Sequence, residues 1–327
     1  VNWDGTMGWQ AIVAKDLTGH HDDGWLGLND GLPTFYIDKD VGNRHYEIVA
    51  DNPISANTWY HLAAIWTTSS MRLFVNGELQ SNTDSHLHSG MISDGENLMI
   101  GAANSGWNDY FDGIIDEVRV WNFARTTQSI REDMHLALAG TEGGLVAYYN
   151  FDDNDFAHLK DQAGGYTGLL WNGLDKSASD EPLGTGTSYT QTESNATIDF
   201  INTGFVANFN QQSGASVVSS RLNVAPNHSQ GIIDASEEIL DKQCWIVSRY
   251  SNSGNVDADI TFSPAEDIQQ PYTAVLYGRA KTSVGDWNLC GVANSTDFAN
   301  DQATFENVQQ FEQVLLTVIP ITDPCNC

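Results

Sequence analysis

Positive charge is what this chain has least of: 14 Lys+Arg stand against 43 Asp+Glu, a formal net charge of -29. Too little basic surface is present to neutralise phosphates, so nucleic acid is excluded as a partner. Long apolar runs are missing too. No stretch reaches the roughly eighteen residues that a membrane-spanning helix needs, and membrane insertion is not expected. Cysteine is scarce, with 4 in 327 residues. Charged residues make up 17 % and hydrophobic residues 41 %, which leaves enough apolar material for packed cores and argues against disorder. Familiar catalytic patterns are absent as well. There is no Gly-x-Ser-x-Gly elbow, no phosphate loop and no His-Glu-x-x-His, and no enzyme is expected. The chain opens on Val1-Asn2-Trp3-Asp4, with neither an initiator Met nor a basic-then-apolar leader, and is read as something other than an intact precursor.

What is there is alternation. Apolar and polar residues take turns along Gln10–Ala14, Trp25–Leu28, Thr34–Asp38, Thr58–Thr67, Arg72–Val75 and Gly113–Trp121. That period of two marks half-buried β-strands. Asn29-Asp30-Gly31 and Asn76-Gly77 separate such runs, and Asn-Gly is a strong hairpin signal because both residues tolerate positive φ. One helix is expected from Thr126 to Leu138, capped by Thr126 or Thr127, with Ile130, Met134 and Leu138 at four-residue spacing and Gly140 ending it. Residues 179–192 are rich in Ser, Thr, Gly and Asp and read as a linker. It divides residues 1–178 from a second strand-rich stretch, 193–327. The expected fold class is all-β, with two β-sandwiches.

Several pieces together give the first stretch a family character. They are Gln10-Ala-Ile-Val-Ala-Lys15, Trp59-Tyr-His-Leu-Ala63, Leu73-Phe-Val-Asn-Gly77, Ile100-Gly101, Phe111-Asp-Gly-Ile-Ile-Asp-Glu-Val-Arg-Val-Trp121 and Gly144-Leu-Val-Ala-Tyr-Tyr-Asn-Phe-Asp152. In this order they resemble the laminin-G-like, concanavalin A-like jelly roll. The resemblance implies a secreted, cell-surface binding module for glycan or protein, with calcium as a structural ion. Members usually begin with a strand pair ahead of the Trp3 region. The chain is therefore expected to be a fragment of a larger surface protein, with an exposed sheet edge that a neighbouring segment or chain completes. The second stretch resembles the β-sandwich modules of bacterial type IX-secreted surface proteins. The resemblance rests on Cys244-Trp-Ile-Val, Ile260-Thr-Phe-Ser-Pro264, Ala274-Val-Leu-Tyr277, Gly285-Asp-Trp287, Ala303-Thr-Phe305 and Gln310-Phe-Glu-Gln313. It implies a stalk or spacer.

Asp116 is the first metal candidate, because related laminarinase-like hydrolases place the Asp of a similar strand on a structural calcium. Asp112 and Asp152 are its companions, since calcium gathers six to eight oxygens from several loops. The alternative is that Asp116 accepts backbone hydrogen bonds in a turn. Pairs of imidazoles at His20-His-Asp-Asp-Gly24 and His86-Leu-His88 supply too few ligands for a transition metal. Those hydrolases also need a Glu-x-Asp-x-x-Glu strand, and none occurs here. Pentraxins share the jelly roll and hold calcium through an acidic loop after the Ile-Gly strand. Here the loop reads Ala102-Ala-Asn-Ser-Gly106 without acids, so pentraxin-style capture is not expected.

A sugar site needs an aromatic plane flanked by groups that bond hydroxyls. Trp107-Asn108-Asp109-Tyr110 supplies this in one loop, and Trp25 is a second exposed candidate. Trp59, Trp66, Trp121 and Trp245 are expected in cores. Cys244 and Cys290 are a candidate disulfide, whereas Cys325 and Cys327 have no assigned pairing. Three Asn-x-Ser/Thr sites begin at Asn195, Asn227 and Asn294 and carry no argument here. The function expected is adhesion or ligand binding. The alternatives are an accessory carbohydrate-binding module of a secreted polysaccharide-degrading enzyme and a structural subunit of an extracellular filament.

Overall fold

Two-residue turns organise the first strands. Asp30 and Gly31 have φ of 51° and 78°, and Asn76 and Gly77 have 49° and 76°. These are the left-handed conformations that twist-matched hairpins require. Each turn closes its ladder at the pair beside it, Asn29↔Leu32 and Val75↔Glu78. The computed structural model describes residues 1–15, 24–38, 45–85, 97–103, 109–155, 157–171, 176–177, 179–211, 213–227, 237–240, 242–250, 256–264, 272–280, 286–309 and 312–320. The chain divides into two compact units, one of Val1–Ile130 with Ala139–Ser179 and one of Arg131–Leu138 with Asp180–Cys327.

The first unit is built on a five-stranded antiparallel sheet. Its order is His45–Val49, Leu32–Asp38, Gly24–Asn29, Trp9–Lys15 and Leu98–Ile100. A three-stranded sheet of Leu62–Thr67, Ser70–Val75 and Glu78–Leu79 lies against it. Alternation sends Ile37, Ile48, Met71 and Leu73 into the space between them, together with Leu26, Phe35 and Trp66. A second cluster joins Trp3, Ile12, Leu28 and Ile54. Each such side chain, once fully buried, contributes about 1.5–3 kcal/mol. The opposite face of the three-stranded sheet packs Ile65 and Phe74 against Ile130. Ile130 lies in the helix Thr127–Asp133, whose Ser129 N–H donates to Thr126 Oγ1 at 3.0 Å. The helix is shorter than its periodicity predicts. Leu136 leaves it to bridge Gly184 and pack with Leu222, Cys244 and Ile246 in the second unit.

Two expectations about this unit change. The run Gly113–Trp121 is two strands, Gly113–Ile114 and Val118–Trp121, because Glu117 between them turns to φ 56°. Nor is Val1–Trp3 an open edge. Asn2 and Trp3 pair with Ile114 and Gly113 on one side. On the other, Tyr60 N–H donates to Val1 O at 2.8 Å and Asn57 N–H to Trp3 O at 2.6 Å. Residues 57–60 fold back along the segment and satisfy it, so no added strand is needed there.

The second unit is a sandwich. Its seven-stranded sheet runs Gly186–Thr192, Ser216–Leu222, Cys244–Tyr250, Gln313–Pro320, Tyr272–Arg279 and Asn288–Val292, with Glu238–Ile239 also paired to Gln313–Pro320. The facing sheet runs Ile198–Phe200, Phe205–Phe209, Ala258–Phe262, Gln302–Val308 and Ser295–Asp297. Phe200, Phe205, Phe262, Phe305 and Trp245 form its centre. Trp245 lies 4.9 Å from Phe262, centroid to centroid, and its indole N–H donates to Thr203 O at 2.7 Å.

The second half of the expected linker 179–192 is a strand and not a linker. Gly186–Thr192 is a seven-residue edge strand paired along its whole length with Ser216–Leu222. Its Ser/Thr composition imitates a linker, but β-branched Thr suits an edge strand equally well. The expected Cys244–Cys290 disulfide is absent, and both thiols are free. Two strands separate their own strands in the sheet. Three inter-strand steps of about 4.8 Å exceed the reach of about 7 Å between bridged Cα atoms. Burial pushes the Cys244 thiol up to about 12, with Arg279 opposing it.

Candidate functional site

One face of the five-stranded sheet looks into the core, and the other carries aromatics. Trp25 pairs with Ala14 on one neighbour and Tyr36 on the other, and directly paired residues share a face. The indole of Trp25 runs along its own strand over Gly27. A Cβ at Gly27 would lie 2.5 Å from Trp25 Cζ2, so only glycine lets the ring lie flat there. Ala11, Ala14 and Ala103 complete the seat with small side chains. Tyr36 stands 5.4 Å from Trp25 on one side and Trp9 5.5 Å on the other, centroid to centroid. Trp25 is 2 % exposed and Trp9 45 %. The expectation that Trp25 offers an exposed plane is therefore corrected. It supports from beneath, and Trp9 presents the ring.

The described ends of the loop singled out from sequence border this face. Its near flank, Ala103, packs against the cluster of Ala11, Ala14 and Trp25. Its far flank returns at Asp109, whose carbonyl accepts from Ala11 N–H at 3.1 Å. The chain then passes Tyr110, 59 % exposed, to Asp112, whose N–H donates to Gln10 Oε1 at 3.1 Å. Asp109 and Tyr110 thus run alongside the start of the strand that carries Trp9. Asp109 is half-buried and has no side-chain hydrogen-bond partner among the described residues; burial holds its carboxyl above the ordinary range. Trp107 and Asn108 lie outside the described residues, as do His20 to Asp23, His86, His88, Cys325 and Cys327.

Trp9 was missed because the strand read from sequence stops at Gln10. The signal was present one residue earlier. An indole there shares alternation with Ala11, opposite a glycine at position 27.

The three acids assigned to calcium are not brought together. Asp112 bonds through its backbone to Gln10 and to Asp4 N–H. Asp116 Oδ1 accepts from Glu117 N–H at 2.8 Å, the turn role weighed as its alternative. Asp152 Oδ2 accepts from Asn150 Nδ2 at 2.8 Å. Among the described residues no three His, Cys, Asp or Glu side chains converge in a way that could hold a metal ion. These residues do not fit a calcium coordination sphere, which needs several converging oxygens. Any difference in the first unit's melting between excess calcium and EDTA is accordingly expected to be the same in Asp116→Ala as in wild type. A calcium-dependent rise that Asp116→Ala abolishes would overturn this, since a ligand of the native state must stabilise it.

Residues 1–131 match the family model Laminin_G_3, the concanavalin A-like lectin/glucanases superfamily. A stretch of 118 residues, 33 % of this chain, is 26 % identical to the pentraxin-related protein PTX3 of Mus musculus and spans 31 % of that protein. A provisionally named carbohydrate binding protein from Bacteroides ovatus overlays with a TM-score of 0.44 at 23 % identity, covering 56 % of this chain and 52 % of that one. The receptor binding domain of a botulinum neurotoxin C/D mosaic serotype overlays with a TM-score of 0.24 at 12 % identity, covering 95 % and 74 %. Within the first unit, residues 1–131 are therefore similar to laminin-G-like domains of the concanavalin A-like lectin/glucanases superfamily, in an all-β chain whose second unit is a β-sandwich.

Proposed function

We propose that the chain is a non-catalytic glycan-binding part of a secreted or surface-displayed protein, and that its first unit carries the site. The observation that supports this most is Trp9, an exposed indole backed by the Trp25–Tyr36 stack and flanked by the chain path of Asp109 and Tyr110. A rigid aromatic plane stacks on a sugar ring, and a carboxylate with no side-chain hydrogen bond among the described residues accepts the ring's hydroxyls. The superfamily match and the similarity to a pentraxin-related protein favour an extracellular binding role. The second unit serves as spacer and support. Its described core is continuous and aromatic, which suits a stiff module better than a reactive one.

The test is Trp9→Ala in the full chain, read by glycan array and then by titration against the best binder. Affinity is expected to fall about 30-fold, the weight of an aromatic hot spot of about 2 kcal/mol. Melting should change little, because Trp9 is already 45 % exposed. Unaltered binding by Trp9→Ala would remove the site from this face.

A further inference from the structure

The charge around the aromatic face selects among glycans, an inference that rests on the glycan-binding reading above. Consider the described residues within 1–60 and 97–115, which build the sheet face and its flanks. Their carboxylates are Asp4, Asp30, Glu47, Asp51, Asp109 and Asp112, six in all, and Lys15 is the only lysine or arginine among these described residues. Lys15 stands at the end of its strand away from Trp9, paired with Gly24 and Leu98. Nearer the platform the acids are held in place. Asp30 Oδ1 accepts from Gly8 N–H at 2.8 Å, one residue before Trp9, and Asp4 Oδ1 accepts from Thr6 N–H at 2.8 Å. Gln10 Nε2 donates to Thr6 O at 2.6 Å, which ties that acidic turn to the residue following Trp9.

Recognition of a uronate or sulfate ester calls for a guanidinium or ammonium in hydrogen-bond reach. The described part of this face offers none beside Trp9. An incoming anion meets fixed carboxylates instead, and like charges brought together on binding select against that partner. The field is not local only, because the whole chain has 43 acidic against 14 basic residues. Asp109 adds a positive criterion. An ionised carboxylate only accepts hydrogen bonds, so it favours a ligand that presents hydroxyl donors. We infer that the ligand class of the Trp9 face is an uncharged glycan, bound by stacking and by hydroxyl donation to Asp109, and that anionic glycans are turned away by the surrounding carboxylates.

The experiment uses the full chain and matched oligosaccharides of one linkage: the neutral sugar, its uronate counterpart and its amino-sugar counterpart. Each is titrated at about 0.05 M and about 0.5 M salt, where screening lengths differ by roughly threefold, against wild type and Trp9→Ala. The neutral sugar is expected to bind with little salt dependence. The uronate should bind about tenfold more weakly at low salt, with the gap closing as salt screens the repulsion. Asp109→Asn should weaken the neutral sugar and narrow the difference between the two. A uronate that binds as tightly as the neutral sugar, through Trp9, overturns this inference and leaves the glycan-binding reading intact. Tight, salt-sensitive binding of the amino sugar alone overturns it too, by assigning the face to cations. Failure of every sugar, or binding indifferent to Trp9→Ala, overturns the reading on which it rests.

Discussion

Asp161→Ala is expected to lower the melting of the first unit by about 6–12 °C, which corresponds to about 3 kcal/mol in a unit of this size. Asp161 is 7 % exposed, and its carboxylate gathers four backbone donors. Tyr148 N–H and Ala163 N–H both reach Oδ1 at 2.9 Å, and Gly164 and Tyr166 N–H reach Oδ2 at 3.0 and 3.1 Å. Alanine leaves all four without an acceptor, and an unsatisfied buried donor costs more than the bond itself contributes. Asp161→Asn should lose nearly as much. Its amide keeps one oxygen for two of the donors but turns an NH2 toward the other two. Burial raises the carboxyl of Asp161, but the four N–H groups outweigh that, and it lies below its ordinary value of 3.8. A depressed folded value means the stabilisation is complete above pH 3.8 and fades as pH falls toward the folded value. The acid limb of the melting profile should therefore be flatter in Asp161→Asn than in wild type. Equal melting of wild type and Asp161→Ala near neutral pH would show that these bonds hold nothing.

Glu193→Ala should strike the second unit about as hard or harder, by about 3–5 kcal/mol, the usual cost of orphaning one member of a buried ion pair. The Glu193 side chain is fully buried and Arg249 Nε donates to Oε1 at 2.6 Å. Ser213 gives Oε2 both its N–H at 2.8 Å and its hydroxyl at 2.6 Å. Burial raises this carboxyl; Arg249 and Ser213 overcome it and hold it below 4.5. Its contribution is thus lost on acidification, in the same sense as that of Asp161. The companion test is Glu193→Ala combined with Arg249→Leu. Removing both charges should recover part of the loss, because the desolvated cation disappears with its partner. A double variant no better than Glu193→Ala would mean that Ser213, and not the ion pair, carries the effect.

The strands were more legible than these two carboxylates. Alternation along Thr34–Asp38 and Arg72–Val75, with Asp30-Gly31 and Asn76-Gly77 between runs, reports the local backbone directly, and the ladders form there. Glu193 and Asp161 act through partners up to 56 residues away, so no short pattern announces them. Trp25 shows the same limit. Its strand was readable, yet its burial depends on Gly27, Ala14 and Trp9 meeting on one face. Glu117 broke a run that alternation made continuous, since period alone does not reveal a positive φ. The loop ending at Asp109-Tyr110 was recognised by composition, while the platform beside it needed the register of the sheet.

The strand order of the second unit has a consequence for its synthesis. Gln313–Pro320 occupies the middle of the seven-stranded sheet, between Cys244–Tyr250 and Tyr272–Arg279. The strands on its two sides share no ladder with one another across that position. A ribosome delivers the keystone after both halves it must join. Until then two half-sheets wait with open inner edges, the kind of species that chaperones protect. Closure is a single late event, and a nascent chain held short of residue 313 should remain protease-sensitive throughout this unit while the first unit, already emerged, has folded.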